Sequence, residues 1–95
     1  MGKEVRSILQ REKRCRICGK LTDLQLHHVM SGTANRKLSD KYGLVVWLCM
    51  EHHTGPNGVH MNRKLGDSMK GLAQIAFEAM HRHAEWMDLF KKNYL

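Results

Sequence analysis

The chain has 95 residues, 42% of them hydrophobic and 26% charged, which leaves room for one folded unit with a thin core and excludes both a second domain and a disordered chain. Sixteen Lys and Arg against nine Asp and Glu give a net charge of +7, the electrostatic footprint expected of a nucleic-acid partner. The longest apolar run, Leu44 to Met50, is seven residues, where a membrane-spanning helix needs about 20. The stretch Met1 to Arg6 carries neither the apolar segment of a secretory signal nor the Ser or Thr of a myristoylation signal, so a cytoplasmic protein without membrane association is expected.

Residues 3–14 (KEVRSILQREKR) put Val5, Ile8 and Leu9 at helical spacing among charges, which predicts a short amphipathic helix. Charge is concentrated in the same region: Lys3, Arg6, Arg11, Lys13, Arg14, Arg16 and Lys20 face only Glu4 and Glu12. Such a run suits phosphate neutralisation, with affinity falling as salt rises, and it is also what a solvated helix face looks like. Leu24 to Val29 reads as a strand, residues 31–35 as a loop and Arg36 to Lys41 as a helical turn. Leu44 to Leu48 is β-branched and apolar, the clearest strand in the chain, and is expected to pair with the strand around His27. The segment 54–58 holds the only proline and reads as a loop. From Asp67 onward, Leu72, Ile75, Ala76, Ala79 and Met80 form one apolar helix face, with Asp67 or Ser68 as N-cap. A second helix from Ala84 to Lys92 presents Trp86, Leu89 and Phe90 and is expected to fold back on the body. These elements define an α+β fold in a single unit over residues 1–95, with a core at about 15–65 and C-terminal helices at about 67–92.

Three cysteines cannot all pair, and a disulfide scaffold is out of place in a reducing compartment. Cys15 and Cys18 form a CxxC followed by Gly19, and Cys49 and His52 repeat the spacing with an imidazole in the last place. Together they supply Cys3His, a closed tetrahedral set for structural Zn²⁺. So small a domain gains folding free energy directly from such a site. With those four committed, His27, His28, His53 and His60 remain beside the metal-fixed hairpin. A second, more open group of imidazoles is the pattern of a metal-assisted hydrolase, one ring ligating a cation and another accepting a proton from water.

The blocks CRIC at 15–18, LHHV at 26–29, LVVWLCMEHH at 44–53 and GVHMN at 58–62 occur in that order. In this the chain resembles the HNH endonucleases, the ββα-metal nucleases, and especially the small zinc-stapled kind found in phages. The resemblance implies a ββα-metal fold with flanking helices and a metal-dependent endonuclease acting on double-stranded DNA in a bacterial host cell. It implies that His27 is a ligand of a catalytic Mg²⁺, Mn²⁺, Ni²⁺ or Zn²⁺, that His28 is the general base, and that His53 and His60 complete the ligand set. The family's two later histidines are usually three or four residues apart on one helix, whereas six residues including Pro56 separate His53 from His60; a loop must bring His60 round. The Asn that usually precedes the second cysteine pair is missing, the region reading Tyr42-Gly43-Leu44. Asn35, Asn57 and Asn62 are the available substitutes, with Asn57 preferred because it lies between His53 and His60. Arg36, Lys37, Arg63 and Lys64 flank the cluster as phosphate clamps or as ordinary solvated charges. Two other readings stay open: a zinc-stapled DNA-binding module with a degenerate nuclease centre, and an adaptor among phage replication or packaging proteins.

Overall fold

The computed structural model describes residues 6–95. The described residues form an α+β structure whose elements run β1 (Leu24–His28), α1 (Thr33–Tyr42), β2 (Val45–Cys49), α2 (Met50–His53), α3 (Arg63–Glu78) and α4 (His83–Phe90). β1 and β2 make a two-stranded antiparallel sheet, with Gln25 opposite Leu48, His27 opposite Val46 and His28 opposite Val45. This is the pairing expected from the sequence. No helix among the described residues is long and apolar enough to cross a membrane.

The helix expected at residues 3–14 is not formed in its described part. Residues 6–14 are irregular, and residues 3–5 lie outside the described residues. The physical reason is that this segment runs along the free edge of β2 and spends its polar groups there. The Ser7 hydroxyl donates to the Val45 carbonyl (2.5 Å), Gln10 Oε1 accepts from the Trp47 N–H (3.0 Å), and the Arg16 N–H donates to the Trp47 carbonyl (2.8 Å). Satisfying an open strand edge outweighs a short helix that would be marginal alone. Lys13 lies over the Trp47 ring, 4.6 Å from its centroid, so part of the basic run is spent on packing.

The region between the strands is more helical than the sequence suggests. α1 begins at Thr33, inside the expected loop, and ends at Gly43, whose φ of 72° suits a left-handed cap. A Cβ there would collide with the Arg6 carbonyl, so the position also permits a close chain crossing. The buried Ser39 hydroxyl donates to the Met30 carbonyl (3.0 Å) and accepts from the Met30 N–H (3.2 Å), tying α1 to the end of β1.

α3 starts four residues before the expected Asp67, because the Asn62 side chain accepts from the Leu65 N–H (3.1 Å) and caps it. Its buried face is also different. Met69, Ala73, Gln74 and Phe77 point inward, while Leu72, Ile75 and Met80 of the expected face are 42%, 56% and 69% exposed. Aromatic packing decides the orientation: Phe77 meets Tyr42 at 5.2 Å and Trp86 at 5.5 Å, ring centre to ring centre. α4 folds back as expected, burying Trp86 completely. Gln74, fully buried, is satisfied at both ends. Its amide nitrogen donates to Glu78 (2.6 Å) and Asn93 (2.8 Å), and its oxygen accepts from the Tyr94 N–H (2.7 Å).

Two positions on α3 test this orientation. Phe77→Ala is expected to lower unfolding free energy by about 3–5 kcal/mol, and Ile75→Ala to change it by less than about 0.5 kcal/mol. Chemical denaturation with zinc present checks both.

Candidate metal centres

The Cys15–Cys18 turn is closed by a bond from the Gly19 N–H to the Cys15 carbonyl (2.8 Å). Cys49 ends β2 and caps α2, so His52 follows it by nearly one helical turn and returns to the same side. Cys49 Sγ lies 3.2 Å and Cys15 Sγ 3.7 Å from His52 Nδ1, and Cys18 Sγ lies 3.8 Å from Cys49 Sγ. A tetrahedral zinc with bonds of about 2.3 Å to sulfur and 2.0–2.1 Å to nitrogen requires edges of roughly 3.6–3.8 Å. The Cys15–His52 and Cys18–Cys49 edges match and the Cys49–His52 edge is about 0.4 Å shorter, so the four residues stand close enough together to hold a metal ion such as zinc.

The thiols are unequal. Burial pushes Cys15 up, but the backbone N–H groups of Cys49, Cys18 and Ile17 together pull it down to about 6. For Cys18, the lowering by the Lys20 N–H is outweighed by desolvation and by the Cys15 and Cys49 sulfurs, and its pKa is raised. Three sulfurs so close resist ionising together unless a cation sits among them.

The second group is built from the neighbours of the first. His53 follows His52 by about 100° around α2 and so leaves the thiolate cluster, turning toward β1. His27 in β1 is buried; its ring centre is 5.2 Å from that of His53 and 5.2 Å from that of His60. His60 arrives by a loop, as expected. Residues 58–60 run back along α2, the Val59 N–H donating to the His52 carbonyl (2.9 Å) and the His60 N–H to the His53 carbonyl (3.4 Å). A Cβ on Gly58 would lie 2.8 Å from the His53 carbonyl carbon and oxygen, so glycine is what lets the loop come this close. His60 Nε2 ends 3.1 Å from His53 Nε2, and ring nitrogens of His27, His53 and His60 lie within 4.8 Å of one another. Three nitrogens leave open positions on a metal, unlike the closed Cys3His set.

Desolvation, reinforced by His53, His60, His28 and Lys70, holds the His27 pKa down at about 4, and His53 is lowered by burial and by His60. His27 therefore stays neutral, with a lone pair to offer, at ordinary pH, and His53 is shifted in the same direction.

A cavity of about 230 Å³ opens beside these rings, lined by Leu26, His27, His28, Ser31, Gly32, Arg36, His53 and His60. His28 Nε2 is 2.8 Å from Asp40 Oδ1 of α1, and His53 Nδ1 is 2.5 Å from Gln25 Oε1. Of the expected phosphate clamps, Arg36 reaches the cavity wall, while Lys37, Arg63 and Lys64 are exposed outside it, Arg63 with Asp67 at 3.9 Å. Asn57 is exposed and does not line the cavity, and Asn62 is engaged as a helix cap. The contact that holds His28 comes instead from Asp40, a residue the sequence did not single out. Eleven residues separate the two, and only the packing of α1 against β1 brings them together. Gln25 was legible in principle, because two residues along a strand return to the same face.

Comparison of the chain with protein-family models, with curated proteins and with solved structures finds no match.

Two outcomes follow from the geometry. The chain is expected to hold one tightly bound Zn²⁺ through Cys15, Cys18, Cys49 and His52, with Cys49→Ser losing both the metal and most of the folded circular-dichroism signal; elemental analysis alongside the spectra checks this. Because the His27 pKa is depressed in the folded state, the proton it would bind below about pH 6.5 is taken up only by the unfolded chain. The stability of wild type minus that of His27→Gln should be constant above pH 6.5 and fall as pH drops toward 4, as read by denaturation without added second metal.

Proposed function

We propose that the chain is a small metal-dependent endonuclease of the HNH, ββα-metal kind, hydrolysing phosphodiester bonds of double-stranded DNA. The observation that carries this reading is the lining of one cavity by four imidazoles and a guanidinium with no carboxylate in its walls, three of the imidazoles converging on a point. The element order supports it: a histidine pair at the end of the first strand, a second antiparallel strand, and a short helix carrying the next ligand.

Neutral imidazoles take a divalent cation without adding negative charge, so the site keeps its attraction for a phosphate, and Arg36 and Lys70 add to it. His27, His53 and His60 would hold a Mg²⁺, Mn²⁺, Ni²⁺ or Zn²⁺ ion. When bound, the ion supplies charge stabilisation for the pentacovalent phosphorus and the leaving 3′ oxygen. His28 acts as the base. A carboxylate only accepts, so Asp40 fixes the Nε2–H tautomer of His28 and leaves Nδ1 to take the proton of the attacking water. Once that proton arrives, Asp40 faces an imidazolium and stabilises it. Arg36 orients the phosphate from the cavity wall; Lys37, Arg63 and Lys64 neutralise neighbouring phosphates.

The test is nicking of supercoiled plasmid with added divalent metal and then with EDTA. Wild type should nick only with metal, and His28→Ala should lose about 10²–10⁴-fold in rate. Asp40→Asn should fall between the two. Retardation of DNA without nicking in any metal would replace the enzyme by a binding module, and neither result would leave an adaptor.

A further inference from the structure

We infer that Gln25 is a positioning residue for the second metal centre, fixing His53 as a ligand through Nε2; this rests on the reading of His27, His53 and His60 as a divalent-cation site. Gln25 and His27 are two residues apart in β1 and share a face, and α2 lays His53 over that face. The Gln25 Oε1 lies 2.5 Å from His53 Nδ1, while the opposite ring nitrogen, Nε2, lies 3.1 Å from His60 Nε2. An amide oxygen can only accept, so His53 must donate from Nδ1–H, and its lone pair is left on Nε2, inside the cluster. The other tautomer would set a lone pair against the amide oxygen and put a proton on Nε2, the atom that has to bind the cation.

The adjacent histidine shows that this choice is not made by α2 alone. His52 turns Nδ1 toward the sulfurs of Cys15 and Cys49, so two successive residues of one short helix present different nitrogens to their metals. Free imidazole side chains in water favour the N–H on Nε2, the form in which His53 could not ligate from that atom. A hydrogen bond to the far nitrogen is the usual way a protein overrides that preference, and its loss typically weakens metal binding about 10–100-fold. Gln25 is exposed and touches no core residue through this contact, so its removal should leave the fold intact.

The experiment uses the full chain loaded with one equivalent of Zn²⁺, verified by elemental analysis, and titrated with Ni²⁺ by calorimetry. Wild type should bind one further equivalent and His53→Ala none. Gln25→Leu should bind Ni²⁺ about 10–100-fold more weakly, and Gln25→Glu, which can still accept from Nδ1–H, should restore most of the loss. Nitrogen-15 spectra of histidine-labelled protein before Ni²⁺ is added give a second readout: the unprotonated nitrogen of His53 should be Nε2 in wild type and shift toward Nδ1 in Gln25→Leu. Equal Ni²⁺ affinity and an unchanged tautomer in Gln25→Leu would overturn the inference while leaving the metal site standing. A wild type that takes up no second equivalent would instead remove the metal site, and the inference with it.

Discussion

The convergence of Cys15, Cys18, Cys49 and His52 is the constraint on which the other features hang. These side chains come from three places: the turn after the irregular N-terminal segment, the last residue of β2, and the far end of α2. A metal ion there would close all three at once. A two-stranded sheet is marginal on its own, and this one gains definition because the end of β2 is tied to the turn at residues 15–18. The Cys15 thiol is pulled down and the Cys18 thiol pushed up, and a cation among the three sulfurs would offset the repulsion between thiolates. The free energy of metal binding there would also order the hairpin.

The second group of histidines inherits its placement from the first. One residue further along α2 changes direction by about 100°, so a helix fixed by His52 necessarily sends His53 elsewhere. The strand contributes its own periodicity: Gln25 and His27 share the face that His53 approaches, and Gln25 meets His53 at its outer nitrogen. Gly58 completes the arrangement by letting the following loop lie against α2, which delivers His60 without a continuous helix. Backbone periodicity and one missing side chain thus set a three-nitrogen cluster that no single element could hold.

Much of this was legible in the sequence because it depended on spacing. The paired Cys-x-x-Cys and Cys-x-x-His blocks, the strand at Leu44 to Leu48, its partner around His27 and the loop carrying His60 all follow from local pattern. What was not legible depended on which partner wins. Residues 6–14 have helical periodicity but are used by the edge of β2. α3 carries two apolar faces, and the stripe of Leu72, Ile75 and Ala76 is the more regular in the sequence; the buried one contains Gln74, whose polarity is hidden only because Tyr94, Asn93 and Glu78 satisfy it. Asp40 could not be found as the companion of His28, since that contact exists only after α1 has packed. An expectation that an asparagine would do the work led to Asn57, which points to solvent.

The coat that residues 7–16 lay over β2 has a consequence for the chain if Cys15 is left without a metal. Those residues are anchored at one end by Cys15, and the groups they satisfy, on Val45 and Trp47, belong to the most apolar strand of the molecule. With no ion on the Cys3His set, the coat would lack that anchor and bare a sticky ribbon whose unsatisfied amides invite the same ribbon of another copy. Chelation would then yield clumps in place of a soluble unfolded monomer, and metal supply during synthesis would govern yield as well as shape.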